Sequence, residues 1–218
     1  MIQAIVFDFD GVLVESAVIK TEAFHALFAL EGPAVVDQVV AYHLAHEGVS
    51  RVEKFRYSYA HILHRPLDDQ ALRALCDRFQ RLVMERIVQT SWVVGATEAL
   101  EWLRRRKIGA FVVSGTPHEE LCTILERRSA TQRFLGIYGS PPAKPERLAS
   151  LLSRHGLRGT DVLMVGDAIT DYEAAHAAGM RFVARAHPTH AGMWEQLGVE
   201  RIQDLTPLPA LVARGALH

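Results

Sequence analysis

The stretch that decides the fold is IQAIVFDFDG, residues 2–11. Its apolar run, Ala4–Phe7, is typical of a strand that is buried on both faces of a parallel sheet. Such strands end at the ligand crevice of an open α/β fold. Alternation along the strand sends the side chains of Asp8 and Asp10 the same way, where they repel each other unless a cation holds them together. The stretch therefore predicts an α/β protein with an acidic site, although Asp and Gly are also common in ordinary polar turns.

The composition is that of an ordinary soluble protein. The chain has 218 residues, of which 49% are hydrophobic and 22% are charged, and its net charge is -1. This length suits one domain, or one domain with an insertion. The sequence has no basic stripe with interleaved aromatic residues and no apolar run of membrane-spanning length, so we expect neither a nucleic-acid partner nor a membrane. We expect Cys76 and Cys122 to be reduced and the protein to be cytoplasmic.

The residues after the first strand are helical in pattern for about seventy positions. Phe24 and Phe28 belong to one apolar stripe, and Ser50 and Glu53 have the spacing of a capping box that starts a further helix. The α/β pattern begins again only after Trp92. We therefore predict two domains: an α/β core formed by residues 1–15 and 90–218, and an inserted all-helical domain of four helices formed by residues 16–89.

A second apolar strand, residues 110–113, is followed by Ser114, Gly115 and Thr116. Thr116 is in position to cap the next helix. The free N–H groups of a helix start, the helix dipole and the Ser114 hydroxyl together predict an anion site at Ser114 and Gly115. A well-capped turn without a ligand has the same sequence, so this motif does not identify a site by itself.

Lys144 is one of only four lysines in the chain, and it precedes Pro145, which can open a helix. A lysine at a helix start opposes the helix dipole, so its presence there needs another reason. Neutralisation of a phosphate and a carboxylate is one such reason. The alternative is an ordinary solvated lysine.

The sharpest motif is GDAITD, residues 166–171, which follows a third buried strand at residues 162–165. Asp167 extends from the end of that strand, and Thr170 is in position to cap a helix whose first turn holds Asp171. With the two aspartates of the first motif, this makes four carboxylates at one edge of a parallel sheet. Hard oxygen ligands in that number predict a Mg²⁺ site.

The four motifs, D-x-D-G-V, S-G-T, K-P and G-D-x-x-x-D in this order, resemble those of the haloacid dehalogenase-like hydrolase superfamily. Within it, the chain is similar to the phosphoglycolate phosphatase and β-phosphoglucomutase branch. The resemblance covers essentially the whole chain. It implies a Rossmann-like core with a central parallel sheet, an inserted helical cap and phosphate-ester chemistry.

The resemblance also implies a role for each motif residue. Asp8 resembles the nucleophile that forms an aspartyl-phosphate, and Asp10 resembles the general acid and base. Ser114 and the N–H of Gly115 would bind the transferring phosphoryl group, and Lys144 would compensate its charge. The Mg²⁺ ligands would be Asp8, the backbone carbonyl of Asp10, Asp167 and, directly or through water, Asp171.

The cap is expected to select the substrate, because the core contacts only the phosphate. Residues 48–51 resemble the cap segment of this branch, so Arg51, with Lys54 and Arg56, is predicted to bind a remote anionic group. Solvated bases at a helix start are the alternative. Lys20 is the other residue of the cap that we expect to contact the substrate, and it stands where the mutases carry a histidine, which favours a phosphatase. Four histidines at helical spacing are interpreted as surface or cap-packing residues rather than metal ligands: His43, His46, His61 and His64.

We therefore predict a Mg²⁺-dependent phosphatase that hydrolyses a small phosphomonoester, such as a sugar phosphate or a phosphoglycolate-like compound. A sugar-phosphate mutase of the β-phosphoglucomutase type is the first alternative. A dehalogenase would need neither Mg²⁺ nor the acids Asp10 and Asp171. A phospho-accepting signalling module also combines an acid pair, a hydroxyl residue and a lysine, but it is far shorter and has no inserted cap. The expected partner is the small-molecule ester, and no oligomeric state is predicted.

Overall fold

The computed structural model describes residues 1–186 and 191–214. Its described strands form one parallel sheet in the order β3-β2-β1-β4-β5-β6. The strands are β1 (Ala4–Phe7), β2 (Gly109–Pro117), β3 (Gly136–Ser140), β4 (Val162–Gly166), β5 (Arg181–Arg185) and β6 (Arg201–Ile202). This order, in which the chain leaves the central strand in both directions, is that of a Rossmann-like fold.

Strand β1 is central because its side chains are apolar on both faces and buried on both. It pairs with β2 and β4 in a register that aligns Phe7 with Val112 and with Val165. The carboxyl ends of the three strands therefore meet at one edge. The residues that follow them, beginning with Asp8, share the crevice where ligands bind in open α/β sheets.

Four helices are inserted between β1 and the remaining strands. They are α1 (Ala17–Phe28), α2 (Pro33–Ala45), α3 (Arg51–Tyr57) and α4 (Asp69–Gln89), and a single π-helical turn, Ser58–Ile62, extends α3. Aromatic rings join them: the centroid of Phe24 lies 5.5 Å from that of Phe55 and 5.0 Å from that of Phe79. The predicted cap at Ser50 is confirmed, because its hydroxyl accepts from the N–H of Glu53 at 3.3 Å.

The remaining described helices cover the two faces of the sheet. They are α5 (Ala96–Arg106), α6 (His118–Arg127), α7 (Lys144–His155), α8 (Ile169–Ala177), α9 (Ala191–Gln196) and α10 (Leu208–Arg214). On one face Phe7 and Val112 pack with Leu103 of α5 and Leu121 of α6. The other face has a separate core of strand residues with α7 and α8.

The predicted fold class is confirmed: a Rossmann-like core with a central parallel sheet carries an inserted set of four helices. The bounds given above for the two domains remain a prediction, and part of the predicted core, residues 187–190 and 215–218, lies outside the described residues. None of the helices in the described ranges is long and apolar enough to cross a membrane.

Candidate active site

Asp8 is the first residue after β1, and it is buried at the carboxyl edge of the sheet. Its Oδ1 accepts a hydrogen bond from the Lys144 ammonium at 3.0 Å. Burial raises the pKa of Asp8 to about 7, and Asp171 and Asp10 add to the rise, although Lys144 works against it. The single positive charge of Lys144 therefore does not balance the negative charges of Asp8 and the neighbouring aspartates.

Asp167 and Asp171 lie beside Asp8 because β4 ends next to β1. One ligand atom from each of the three residues lies within 4.8 Å of the others. Asp171 is fully buried, and its Oδ2 accepts from the N–H groups of Asp167 at 3.2 Å and Ala168 at 3.1 Å, which are unpaired donors of the α8 start. Its Oδ1 accepts from Lys144. Local helix capping therefore fixes one acid of the cluster, and strand pairing fixes the other two.

The three carboxylates fit a Mg²⁺ ion in donor type and in spacing. Burial, with the charges of Asp8 and Asp171, raises the pKa of Asp167 well above its ordinary value, which shows how costly this concentration of charge is without a further cation. Gly11 has a φ of +73°, and a side chain on it would overlap the Asp167 carboxylate. The chain thus leaves open space for Asp167 to approach Asp8.

Lys144 is the first residue of α7, and it is buried between Asp8 and Asp171. Burial alone would lower the pKa of this ammonium, but the charges of Asp171 and Asp8 raise it above its ordinary value. Lys144 is therefore always a cation at neutral pH. The two carboxylates compensate its unfavourable place at a helix start, where a carboxylate and a phosphate were expected from the sequence.

Asp10 is held apart from the three-carboxylate cluster by a set of donors from other elements. Its Oδ1 accepts from the Ser16 hydroxyl at 2.6 Å, and its Oδ2 accepts from the Thr116 hydroxyl at 2.9 Å and from the Lys20 ammonium. Lys20 also donates to the Thr116 hydroxyl at 2.9 Å. Burial would raise the pKa of Asp10, but Lys20 and the two hydroxyls lower it below its ordinary value. Asp10 is accordingly a carboxylate in this state.

Ser114 and Gly115 line the same cavity as Asp8, Asp10 and Asp167. The Ser114 hydroxyl accepts from the N–H of Thr116 at 3.1 Å, so its own proton is available to another acceptor. A Cβ on Gly115 would lie 2.6 Å from the carbonyl oxygen of Gly48 in the inserted segment. A glycine is needed there because the inserted segment closes directly onto the end of β2.

Two helix-cap predictions are wrong. Strand β2 runs to Pro117, so α6 begins at His118 and Thr116 does not cap it. Helix α8 begins at Ile169, and the Thr170 hydroxyl donates instead to the carbonyl of Glu47 at 2.8 Å. Both threonines have tertiary partners that sequence spacing does not reveal. Each links the inserted segment to the sheet edge.

Arg51 lines the cavity, but its guanidinium is already engaged. Its Nη2 lies 2.6 Å from Oε1 of Glu120 in α6, both side chains are buried, and its Cζ lies 4.5 Å from the centroid of the Phe79 ring. Lys20, the other substrate residue predicted for the cap, contacts Asp10 instead. Arg56, by contrast, is exposed and pairs with Asp69 at the surface.

Several residues in or next to the cavity wall were not predicted as part of the site. Thr116 and Ser16 hold Asp10, Glu120 holds Arg51, and His43 contacts Lys54. Thr116 is the last residue of the S-G-T motif, and Ser16 lies six residues after Asp10, so both hydroxyls are close enough to the motifs to be a usable signal. Glu120 gives no such signal, because an acid in the first turn of a helix is expected for the helix dipole alone.

Fold and site together define a Rossmann-like α/β protein with a carboxylate centre at the edge of its sheet. Residues 5–185 match the model of the haloacid dehalogenase-like hydrolase family, and the chain belongs to this family. The predicted superfamily is thereby confirmed, and so is the prediction of a hydrolase.

Relatives of known name and structure agree with this membership. The chain is 27% identical over 215 residues to phosphoglycolate phosphatase 1 of Pseudomonas aeruginosa, covering 93% of this chain and 78% of the relative. It is 28% identical over 195 residues to phosphoglycolate phosphatase of Rhodospirillum rubrum, covering 86% and 80%. The crystal structure of β-phosphoglucomutase from Clostridium difficile superposes with a TM-score of 0.78 at 16% identity, covering 95% of this chain and 93% of that one. The last similarity concerns the fold alone.

Proposed function

We propose that the protein is a Mg²⁺-dependent phosphatase that hydrolyses a small phosphomonoester through an aspartyl-phosphate on Asp8. The observation that carries the proposal is the placement of Asp8 in one cavity with Asp10, next to the acids Asp167 and Asp171 and the ammonium of Lys144. The relatives named phosphoglycolate phosphatase support the same activity.

In the first step, an oxygen of Asp8 attacks phosphorus, and the bond from phosphorus to the leaving alcohol breaks. Asp8, Asp167, the backbone carbonyl of Asp10 and, directly or through water, Asp171 would hold Mg²⁺, which would supply the positive charge that lets a carboxylate and a phosphate approach each other. Lys144 holds Asp8 in place and adds a further positive charge near the transferring group. The hydroxyl of Ser114 and the N–H of Gly115 are donors for the phosphoryl oxygens.

Asp10 then serves the second step, in which a water oxygen attacks phosphorus, the bond from phosphorus to the Asp8 oxygen breaks, and inorganic phosphate leaves. Because Lys20 and the hydroxyls keep Asp10 ionised, it is ready to take a proton from that water. For the first step, the negative charge of the bound phosphate raises the pKa of Asp10, and the protonated form gives its proton to the leaving oxygen. A carboxylate that is ionised at rest favours hydrolysis of the intermediate, which agrees with the preference for a phosphatase over a mutase.

The inserted helices act as a cap over this centre, with residues 16–89 as its predicted extent. Their contacts to the core, Lys20 to Asp10, Arg51 to Glu120 and Thr170 to Glu47, all lie around the cavity. A substrate must therefore enter when these contacts open. The cavity wall that the cap provides then selects the alcohol part of the ester.

The test is phosphate release from a panel of sugar phosphates, phosphoglycolate, nucleotides and an aryl phosphate, each with Mg²⁺ and with a chelator. Asp8→Asn is the key variant, and Asp37→Asn, an exposed aspartate of α2, is the matched control. We expect release that needs both Mg²⁺ and Asp8 and is unaffected in the control. Full activity in Asp8→Asn, or in the presence of chelator, would contradict the proposal.

A further inference from the structure

Lys54 differs from the other cations at or beside the cavity. Among the described residues, three of those cations have a carboxylate partner within 4 Å: Lys144 with Asp8 and Asp171, Lys20 with Asp10, and Arg51 with Glu120. No described carboxylate lies that close to the Nζ of Lys54, although the side chain is only 4% exposed. A buried ammonium without an anionic partner is costly, so a partner from outside the chain is the natural complement.

The position of the Lys54 ammonium is fixed by His43 of α2. Its Nζ lies 2.8 Å from Nδ1 of His43 and 3.3 Å from the carbonyl oxygen of the same residue. The ring of His43 is stacked on Phe24, with centroids 4.4 Å apart. These contacts fix the position of the Lys54 ammonium, so the long side chain does not sample its other rotamers.

Hydrogen bonding determines the tautomer of His43. The Thr21 hydroxyl donates to the carbonyl of Ala17 at 3.1 Å, so it accepts from Nε2 of His43, which lies 3.3 Å away. Nδ1 then has a lone pair that accepts from Lys54. Burial and the neighbouring Lys54 lower the pKa of His43 to about 3, so the ring is neutral. His43 orients the ammonium and adds no charge to it.

An ammonium has three N–H donors, and His43 accepts two of those of Lys54. Lys54 also lines the cavity that contains Asp8 and Asp10. We propose that the third donor binds a second anionic group of the substrate, a carboxylate or a phosphate, at the end remote from the transferred phosphoryl group. This proposal rests on the proposed function. It makes Lys54 a specificity-determining residue and His43 a positioning residue.

Arg51 is less suited to this role than Lys54, although the sequence predicted both. Its guanidinium already has Glu120 as a partner at 2.6 Å, and an incoming anion would compete with that buried carboxylate. Arg51 joins α3 to α6 and shapes the wall of the cavity. The two cations of α3 that line the cavity thus have different roles: Arg51 joins the cap to the core, and Lys54 faces the ligand.

The kinetic test compares esters that differ in the charge of the remote group. The first pair is 2-phosphoglycolate and 2-hydroxyethyl phosphate, and the second is propane-1,3-diol bisphosphate and propyl phosphate. We expect the wild type to prefer the anionic member of one pair by about 10- to 150-fold in kcat/KM, as for a hydrogen bond to a charged group. Which pair shows the preference tells whether the remote group is a carboxylate or a phosphate.

Lys54→Met should remove this preference, Lys54→Arg should keep a part of it, and Lys107→Met, at an exposed lysine, should leave it intact. The loss in Lys54→Met should appear in KM for the anionic ester. His43→Leu should also raise that KM, with a smaller effect on kcat, because the ammonium would lose its orientation. Equal preference in the wild type and Lys54→Met would overturn the proposal.

A binding measurement separates this proposal from the proposed function. Asp8→Asn and Asp8→Asn/Lys54→Met are titrated with both members of each pair in a calorimeter. An anionic preference in Kd that disappears with Lys54 supports the anion site even if no ester is hydrolysed by the wild type. Binding without such a preference overturns the anion site even if hydrolysis is established.

Discussion

The two walls of the cavity are charged in different ways. On the core side, Lys144 lies among Asp8, Asp167 and Asp171, and all four residues belong to the sequence motifs that follow parallel strands. On the cap side, Lys20 comes from α1 and Arg51 and Lys54 come from α3, and each of these cations has its partner on a different element. The core wall is therefore suited to the phosphoryl group, which every phosphate ester has in common. The cap wall can be adapted to a different remote group of the ester by a few substitutions.

The largest expected effect is on the core wall. Asp8→Asn removes the attacking oxygen charge, and we expect kcat to fall by at least about 10⁴-fold, as is usual for the loss of a nucleophile. Steady-state phosphate release measures this, with a thermal melt to show that the fold persists. Retention of turnover by the variant would mean that the cavity does not work through Asp8.

Asp10→Asn should have the next largest effect. Loss of a general acid and base typically costs about 10²- to 10⁴-fold in rate. Substrate binding should change much less, so the Kd of phosphoglycolate, measured by calorimetry, should stay near that of the wild type. A variant that hydrolyses normally would leave Asp10 with the structural task of holding Lys20 and Thr116.

The core wall could be predicted from sequence because each of its residues is placed by local structure. Asp8 and Asp167 follow apolar runs that can only be buried strands, and Asp171 caps the helix that follows. Parallel pairing then brings the strand ends together without further information. Lys144 could be predicted as a site residue because a cation at a helix start is unusual.

The cap wall could be predicted only in outline. The four helices follow from apolar periodicity, but the partners of their polar residues depend on how the helices close on the sheet. Glu120 is 69 residues away from Arg51, and Thr116 is 96 residues away from Lys20. Thr116 and Thr170 were predicted to cap helices; instead Thr116 accepts a hydrogen bond from Lys20 of the cap, and Thr170 donates one to the carbonyl of Glu47 in the cap. At both threonines, a tertiary hydrogen bond replaces the local helix cap that the sequence predicted.

The Arg51–Glu120 pair can be tested through stability. Arg51→Met leaves Glu120 as a buried carboxylate without its partner, and breaking a buried ion pair in this way typically costs about 3–5 kcal/mol. Urea unfolding of the variant measures the loss. The double variant Arg51→Met/Glu120→Leu should recover most of it, because two apolar side chains can replace a buried pair. An Arg51→Met variant as stable as the wild type would show that the pair contributes little, and a double variant no more stable than Arg51→Met would show that the unpaired carboxylate is not the cause of the loss.

The smallest expected effect is a pH dependence of substrate binding that is caused by titration of Lys54. This effect distinguishes the two walls most directly. Burial, followed by the charge of Lys20, lowers the pKa of Lys54 to about 7. The free protein therefore has a protonated Lys54 below pH 7 and loses that charge as the pH rises. The charged and titratable groups around it are Lys20, His43, Glu47, Asp10 and Asp167, of which the three acids raise its pKa.

If Lys54 binds a remote anion, KM for an ester with a second anionic group should rise by up to about tenfold per pH unit above pH 7, because binding needs the ammonium. KM for the matched ester with a neutral remote group has no such requirement, so the ratio of the two KM values isolates the effect from titration of the phosphate itself. Lys54→Arg, whose guanidinium stays charged, should make that ratio independent of pH between 6 and 9. A ratio that keeps its pH dependence in Lys54→Arg would assign the titration to another group and leave the cap wall without its proposed anion site.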